Sequence, residues 1–286
     1  MVLADVLVSG VLMGLVYALL ALGLTIIFGV MDTVNFAHGE FLMIGMYAAW
    51  LTATYVFPDP LAGLPVAAAV GALLGVAAYA LLVRRLLRGP MVAQLFGTFG
   101  LMLFLRYGAL AVFGPNVRSV THGVLLGKRV LLGGIVLDAT RLAAAAGSAV
   151  LFGLVYVLLQ RTRVGVALRA TAVNREAAQY MGIDTERMNA LGWAIGGATA
   201  GMAGALLTNF YYVSPTVGTL FAMITFTAVA LGGFGSVPGA FVAGILVGVV
   251  QMLAAQYVAA ELKLAFVYLV YFLAVMIRPQ GLLGVR

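Results

Sequence analysis

Nine apolar runs follow one another along the chain, and they leave few ways to fold it. They fall at about 6–29, 36–56, 61–83, 91–113, 141–160, 189–212, 217–234, 237–258 and 262–277. A helix needs about 20 apolar residues to cross the hydrocarbon core of a bilayer, so the runs read as eight or nine crossings. They are continuously apolar and do not alternate with period two, which excludes a closed β-barrel. Apolar residues make up 64% of the chain and charged residues 9%, too few charges to cover a surface that faces water on all sides. A soluble enzyme, a DNA-binding domain and a secreted disulfide scaffold are excluded on that ground. The chain has no cysteine, hence no disulfide, thiolate metal site or cysteine nucleophile. The fold expected is all-α: a polytopic transmembrane helix bundle forming one membrane domain over residues 1–286. Asp5 is the only early charge, so the run at 6–29 reads as a retained span and not a cleaved signal.

The basic residues set an orientation. Arg84, Arg85, Arg88, Arg161, Arg163, Arg169, Arg175, Arg187, Arg278 and Arg286 fall in one set of loops, and Arg118, Lys128, Arg129, Arg141 and Lys263 in the other. The richer set belongs in the cytoplasm, together with the C-terminus. Counting nine crossings back places the N-terminus outside. The parity turns on 217–234, which is short and runs into the glycine-rich stretch Leu231–Gly239; it either crosses or is re-entrant. Small-residue spacings recur at Gly10/Gly14, Gly71/Gly75, Gly192/Gly196, Gly197/Gly201 and Gly244/Gly248. Such spacings let helix backbones approach closely, either within the bundle or along a seam with a second subunit.

The longest polar stretch is Arg161–Arg187. Within it, Asn174–Gly182 has the makings of a short helix, with Asn174 as N-cap, Glu176 in the first turn and Gly182 at the end. A short helix that projects from a membrane domain has no core of its own and needs a partner groove. Its Glu-Ala-Ala-x-x-x-Gly spacing resembles the coupling loop of bacterial ABC importer permeases. That resemblance implies that Glu176, Ala177, Ala178 and Gly182 form a coupling helix on a cytoplasmic ATPase, with the two alanines allowing close docking and Gly182 turning the chain away.

A second stretch, Thr25–Phe41, contains Asn35-Phe36-Ala37-His38-Gly39-Glu40. It resembles the signature of the LivH-type permeases of branched-chain amino-acid uptake. Ala230–Ala240 and the tail Arg278-Pro279-Gln280-Gly281-Leu282-Leu283-Gly284 agree with that family, in matching order. The resemblance implies a non-enzymatic permease subunit of an ABC importer in a bacterial inner membrane, carrying branched-chain or related hydrophobic amino acids inward. It also implies a LivM-type companion permease, two ATPase subunits that bind the ATP, and a periplasmic binding protein; relatives for urea, amides and other amino acids keep the substrate open. No nucleic acid is expected, because the cations read as topology signals and headgroup contacts.

The chemistry of the second stretch stands beside that resemblance. Asn35, His38, Gly39 and Glu40 interrupt an otherwise apolar helix. Ionisable groups at membrane depth are costly and usually face a cavity or a partner, and a helix broken there exposes backbone to a polar ligand. These four residues either line the translocation path or form a plain turn at the headgroup level. Arg106 is expected to snorkel to the interface, and Gln94, Asn209 and Gln251 to hydrogen-bond between helices. Gly123–Arg129 is one residue short of a phosphate loop and has Arg129 where Ser or Thr would hold magnesium. ATP is therefore expected on the partners, and no cofactor on this chain. Two histidines without metal-site spacing, and no Gly-x-Ser-x-Gly elbow, make no case for a metal or a serine nucleophile. The rival reading, an ion-coupled carrier, would use Glu40 or Asp32 as its proton site.

Overall fold

The computed structural model describes residues 2–87, 89–132 and 135–284; Arg88 and Arg286, both in the charge tally, lie outside them. α1 (Val2–Met31) has 30 residues and a length of about 45 Å at 1.5 Å per residue. Asp32 ends it with a left-handed backbone, φ 53°. After a non-helical stretch at 32–37 the chain resumes as α2 (His38–Tyr55). Asp59 accepts a hydrogen bond from the amide of Leu61 and starts a 3₁₀ turn, Pro60–Gly63, that leads into α3 (Leu64–Ala78). A π-helical turn, Tyr79–Val83, joins α3 to the single turn α4 (Arg84–Leu86). α5 (Met91–Phe113) follows.

An antiparallel hairpin comes next, β1 (Arg129–Leu132) with β2 (Ile135–Asp138), in the register Arg129 to Asp138. α6 (Ala139–Arg161) leads to two short helices, α7 (Arg163–Val173) and α8 (Arg175–Tyr180). The remaining helices are α9 (Thr185–Leu207), α10 (Val217–Gly232), α11 (Val237–Tyr257) and α12 (Lys263–Ile277).

Each of the nine apolar runs is helical, but among the described residues seven helices are long and apolar enough to cross a membrane. The two others are α2, whose polar start dilutes it, and α10, with 16 residues. The protein is a multi-pass helical membrane protein. The polar stretch 161–187 differs from expectation in being helical nearly throughout. Thr162 caps α7 by accepting the amide of Gly165 (3.1 Å), and Asp184 caps α9 by accepting that of Arg187 (3.0 Å).

Close backbone contact builds the core, and the glycine pairs serve the bundle itself. A Cβ on Gly14 would lie 2.6 Å from the Ile245 backbone, and one on Gly244 would lie 2.6 Å from that of Ala18. α1 therefore packs directly on α11, and α3 packs on α9 in the same manner through Gly71 against Gly197. Where hydrocarbon surrounds a bundle, this contact, and not hydrophobic expulsion, supplies the attraction.

The arrangement repeats itself. Exchanging α1, α2 and α3 for α9, α10 and α11 maps the packing of α1 on α11 onto that of α3 on α9, and α2 on α9 onto α10 on α1. α1 and α9 run in opposite directions, so the two units form an inverted repeat. At its centre the starts of α2 and α10 face each other: a Cβ on Gly218 would meet the Gly39 carbonyl oxygen at 2.8 Å.

The sorting of charge between the two ends follows the expected grouping. Arg84 pairs with Glu186 at 2.6 Å, which brings the α4 and α8–α9 turns to one end. The tail joins that end, because the amides of Leu282 and Leu283 donate to the carbonyls of Leu231 and Gly232. At the other end, Arg118 and Val213 exchange two backbone hydrogen bonds.

Candidate functional site

The break between α1 and α2 lies inside the bundle. The His38 imidazole stands 3.0 Å from the Leu20 carbonyl, eleven residues before the end of α1, or about 16 Å in from it. A carbonyl can only accept, so Nε2 carries the hydrogen. Asn35, His38 and Glu40 are fully buried, enclosed by the bundle and not on its surface.

Non-helical backbone at this depth needs partners within the protein, and part of this stretch has them. The Asn35 side-chain oxygen accepts the amide of Ala37 (3.0 Å) and its carbonyl accepts that of His38 (3.3 Å). α5 completes the set: Thr98 donates to the Val34 carbonyl (3.1 Å), and Thr33 donates to Gln94 (3.0 Å).

Glu40 makes the one ion pair of the described core. Arg106 on α5 donates to Oε1 through Nη2 at 2.5 Å and through Nε at 3.2 Å. The Glu40 side chain has no exposure and that of Arg106 has 19%. Snorkelling to the interface is thereby corrected: Arg106 turns inward, because a fully buried carboxylate attracts it more than the headgroup region does. Gln251 does join two helices, accepting from Tyr17 at 2.6 Å. Asn209 does not; just past the end of α9, its amide donates back to the Ala205 and Leu206 carbonyls of that helix.

The second break, at 208–216, reproduces the first. Val217 donates its amide to the Ser214 carbonyl (3.2 Å), as His38 does to Asn35. Aligning Gly39 with Gly218 also aligns Val34 with Val213 and Asn35 with Ser214. Sequence reasoning missed this repeat. The available signal was a pair of interrupted apolar segments with a Val-x-x-x-x-Gly spacing.

The other candidate residues stand at the opposite extreme of exposure. Asn174 caps α8 by accepting the amide of Ala177 at 2.9 Å, and Glu176 lies in its first turn. Gly182 closes the helix at φ +80°, a conformation that costs glycine nothing and other residues much. Tyr180 and Met181, beside it, are 88% and 83% exposed. Of the two alanines expected to permit docking, Ala177 is exposed, whereas Ala178 is buried against its own loop. The signature at Asn35–Glu40 and the loop at Glu176–Gly182 are thus separate, one central and one terminal.

A family profile described as the permease component of the branched-chain amino acid transport system matches residues 6–275. The chain belongs to this permease family. It is 31% identical to the high-affinity branched-chain amino acid transport system permease protein LivH of Salmonella typhimurium, over 96% of this chain and 94% of that one. It is 30% identical to the permease protein BraD of Pseudomonas aeruginosa, over 97% and 94%. The probable LivH permease of Methanocaldococcus jannaschii is 33% identical, over 93% and 88%. No solved structure matches the chain. Both candidate segments fall inside the matched residues, so permease membership covers the central break and the projecting loop alike.

Proposed function

We propose that the protein is the membrane permease subunit of an ABC importer that moves branched-chain or related hydrophobic amino acids inward. ATP hydrolysis on partner subunits would drive it. The observation that carries this reading is the projecting α7–α8 element: both helices are capped, and it ends in large side chains, Tyr180 and Met181, left exposed. The reading gives the chain a companion permease, two ATPases and a substrate-binding protein, places it in a cell inner membrane, and puts the α8 end in the cytoplasm. α8 docks on an ATPase through Glu176, Ala177 and the exposed Tyr180 and Met181, while Ala178 holds it to α7. ATP-driven closure of the ATPase pair then drags α8, and the long helices rock with it. A bistable bundle is shifted only by contacts that differ between its two states, and α8 supplies them.

We further assign Asn35, His38, Gly39 and Glu40 to the translocation path. Glu40 supports this, since it reaches the half-exposed helix α5 through Arg106. A discontinuous helix pair at mid-bundle is also where transporters of inverted-repeat construction bind their cargo.

The test is uncoupling. Gly182→Val forces a β-branched residue to positive φ, and Glu176→Lys reverses the charge at the start of α8. Both variants should insert and assemble normally yet lose most leucine uptake while ATP hydrolysis continues. Full uptake by either would reject the coupling role. His38→Ala and Glu40→Gln, assayed in the same way, test the path.

A further inference from the structure

A cavity of about 670 Å³ opens at the α8 end of the bundle, between the last turn of α1, α7, α8, α9 and the α10–α11 turn. Its volume is within the range of about 300–1,000 Å³ typical of small-molecule sites. Phe28, Leu87 and Phe234 give it an apolar wall, with the two phenylalanine rings in contact at 4.4 Å. Two opposite charges also line it, Asp32 and Arg175. Both residues are exposed and neither has an ion-pair partner among the described residues; Arg175 has a long contact, 3.4 Å, from Nε to Thr185. Asn189 lines it too, is 1% exposed, and has a side-chain oxygen without a hydrogen-bond partner.

Asp32 is moreover the one non-glycine residue with positive φ among those described. Strain of that kind persists where the surroundings require it and gathers at ligand sites. Apolar wall, lone carboxylate and lone guanidinium together match one chemical class. A hydrophobic α-amino acid carries an ammonium, a carboxylate and an aliphatic side chain on adjacent atoms.

We propose that this cavity binds a free hydrophobic amino acid as its zwitterion. Its ammonium lies on Asp32, its carboxylate on Arg175, and its side chain against Phe28, Leu87 and Phe234. The inference rests on the permease reading, since the bound molecule belongs to the class that the protein transports. Arg175 opens α8, whereas Asp32 closes α1, so the ligand ties the coupling element to the bundle. Accumulated product on the α8 side thereby favours whichever arrangement keeps these two charges a ligand's length apart.

The test uses the full chain in lipid nanodiscs with radiolabelled L-leucine. Competitors are 4-methyl-2-oxopentanoate, which lacks the ammonium, 3-methylbutylamine, which lacks the carboxylate, and glycine, which lacks the side chain. Each should compete about tenfold or more less well than leucine, the scale of one lost charge-assisted contact or of the aliphatic group. Asp32→Asn should abolish the preference for leucine over the oxo acid, and Arg175→Gln the preference over the amine. Equal competition by all four, or unaltered preferences in both variants, would overturn the proposal.

A second measurement is independent of those variants. The chain has no cysteine, so Val173→Cys places a single thiol at the cavity rim, where Val173 is 88% exposed. Saturating leucine should slow its reaction with a maleimide and glycine should not; identical rates with and without leucine count against the site. Leucine uptake by the assembled transporter separates the two readings. Uptake without protection removes the cavity alone, whereas protection without uptake removes the permease reading.

Discussion

Glu40 and Arg106 show how one carboxylate can organise a membrane interior. Glu40 has no exposure, and its Oε2 has no partner among the described residues, so the Arg106 guanidinium is the one opposite charge that compensates it there. Removing one member of a buried pair typically costs about 3–5 kcal/mol, because the other is left uncompensated, while replacing both with apolar residues is often neutral. Glu40→Ala and Arg106→Ala should each lower the thermal midpoint of the detergent-solubilised protein, by the equivalent of about 3–5 kcal/mol. The double variant Glu40→Leu/Arg106→Met should recover most of the loss. Fluorescence of the buried Trp193 and Trp50 reports the transition, and additive losses in the double variant would show that the pair does not act as a unit. His38 acts differently: it donates to a carbonyl of α1 and so fixes the depth at which α2 begins.

At the scale of elements, glycine content decides which helices meet. α1 on α11 and α3 on α9 approach until backbone touches backbone, and any larger side chain must push them apart. Gly244→Leu should destabilise the fold by at least the about 1–3 kcal/mol usual for an overfilled core, read as early loss of the monodisperse peak on heating in detergent. Gly153→Ala on α6, where nothing lies within 4 Å, is the control and should leave that peak unchanged; equal effects of the two would remove the contact argument. The long helices were legible in the apolar runs, because seven of those runs are long enough to cross a bilayer. α7 was not, because its residues, Arg163–Val173, are too mixed in polarity to look like anything but a loop until the caps at Thr162 and Asn174 are in place.

At the scale of the whole molecule, two ends of different character are separated by the bundle. One end carries α7, α8, the α4 turn and the tail; the other carries the hairpin β1–β2 and the Arg118–Val213 bridge. The permease reading orients them: an impermeant maleimide should label Val124→Cys in intact cells, and Tyr180→Cys only after the membrane is opened. Val124 and Tyr180 are 65% and 88% exposed, so access is limited by side and not by burial. The reverse pattern would invert the protein and defeat coupling through α8.

Apolar length and charge sorting, both one-dimensional quantities, already determined the class of protein, the positions of its long apolar helices and the grouping of its loops. The same was true of the α8 cap, since Asn174, Glu176 and Gly182 act on neighbours within one turn of the chain. What the tertiary structure alone decided were relations between distant segments. Among them are the inward turn of Arg106, the meeting of Gly39 with Gly218, and the gathering of Asp32 and Arg175 at one cavity. An arginine reads alike in the sequence whether it faces lipid headgroups or a carboxylate 66 residues away. The choice follows from which partner the packed helices bring within reach in a medium too apolar to solvate either charge alone.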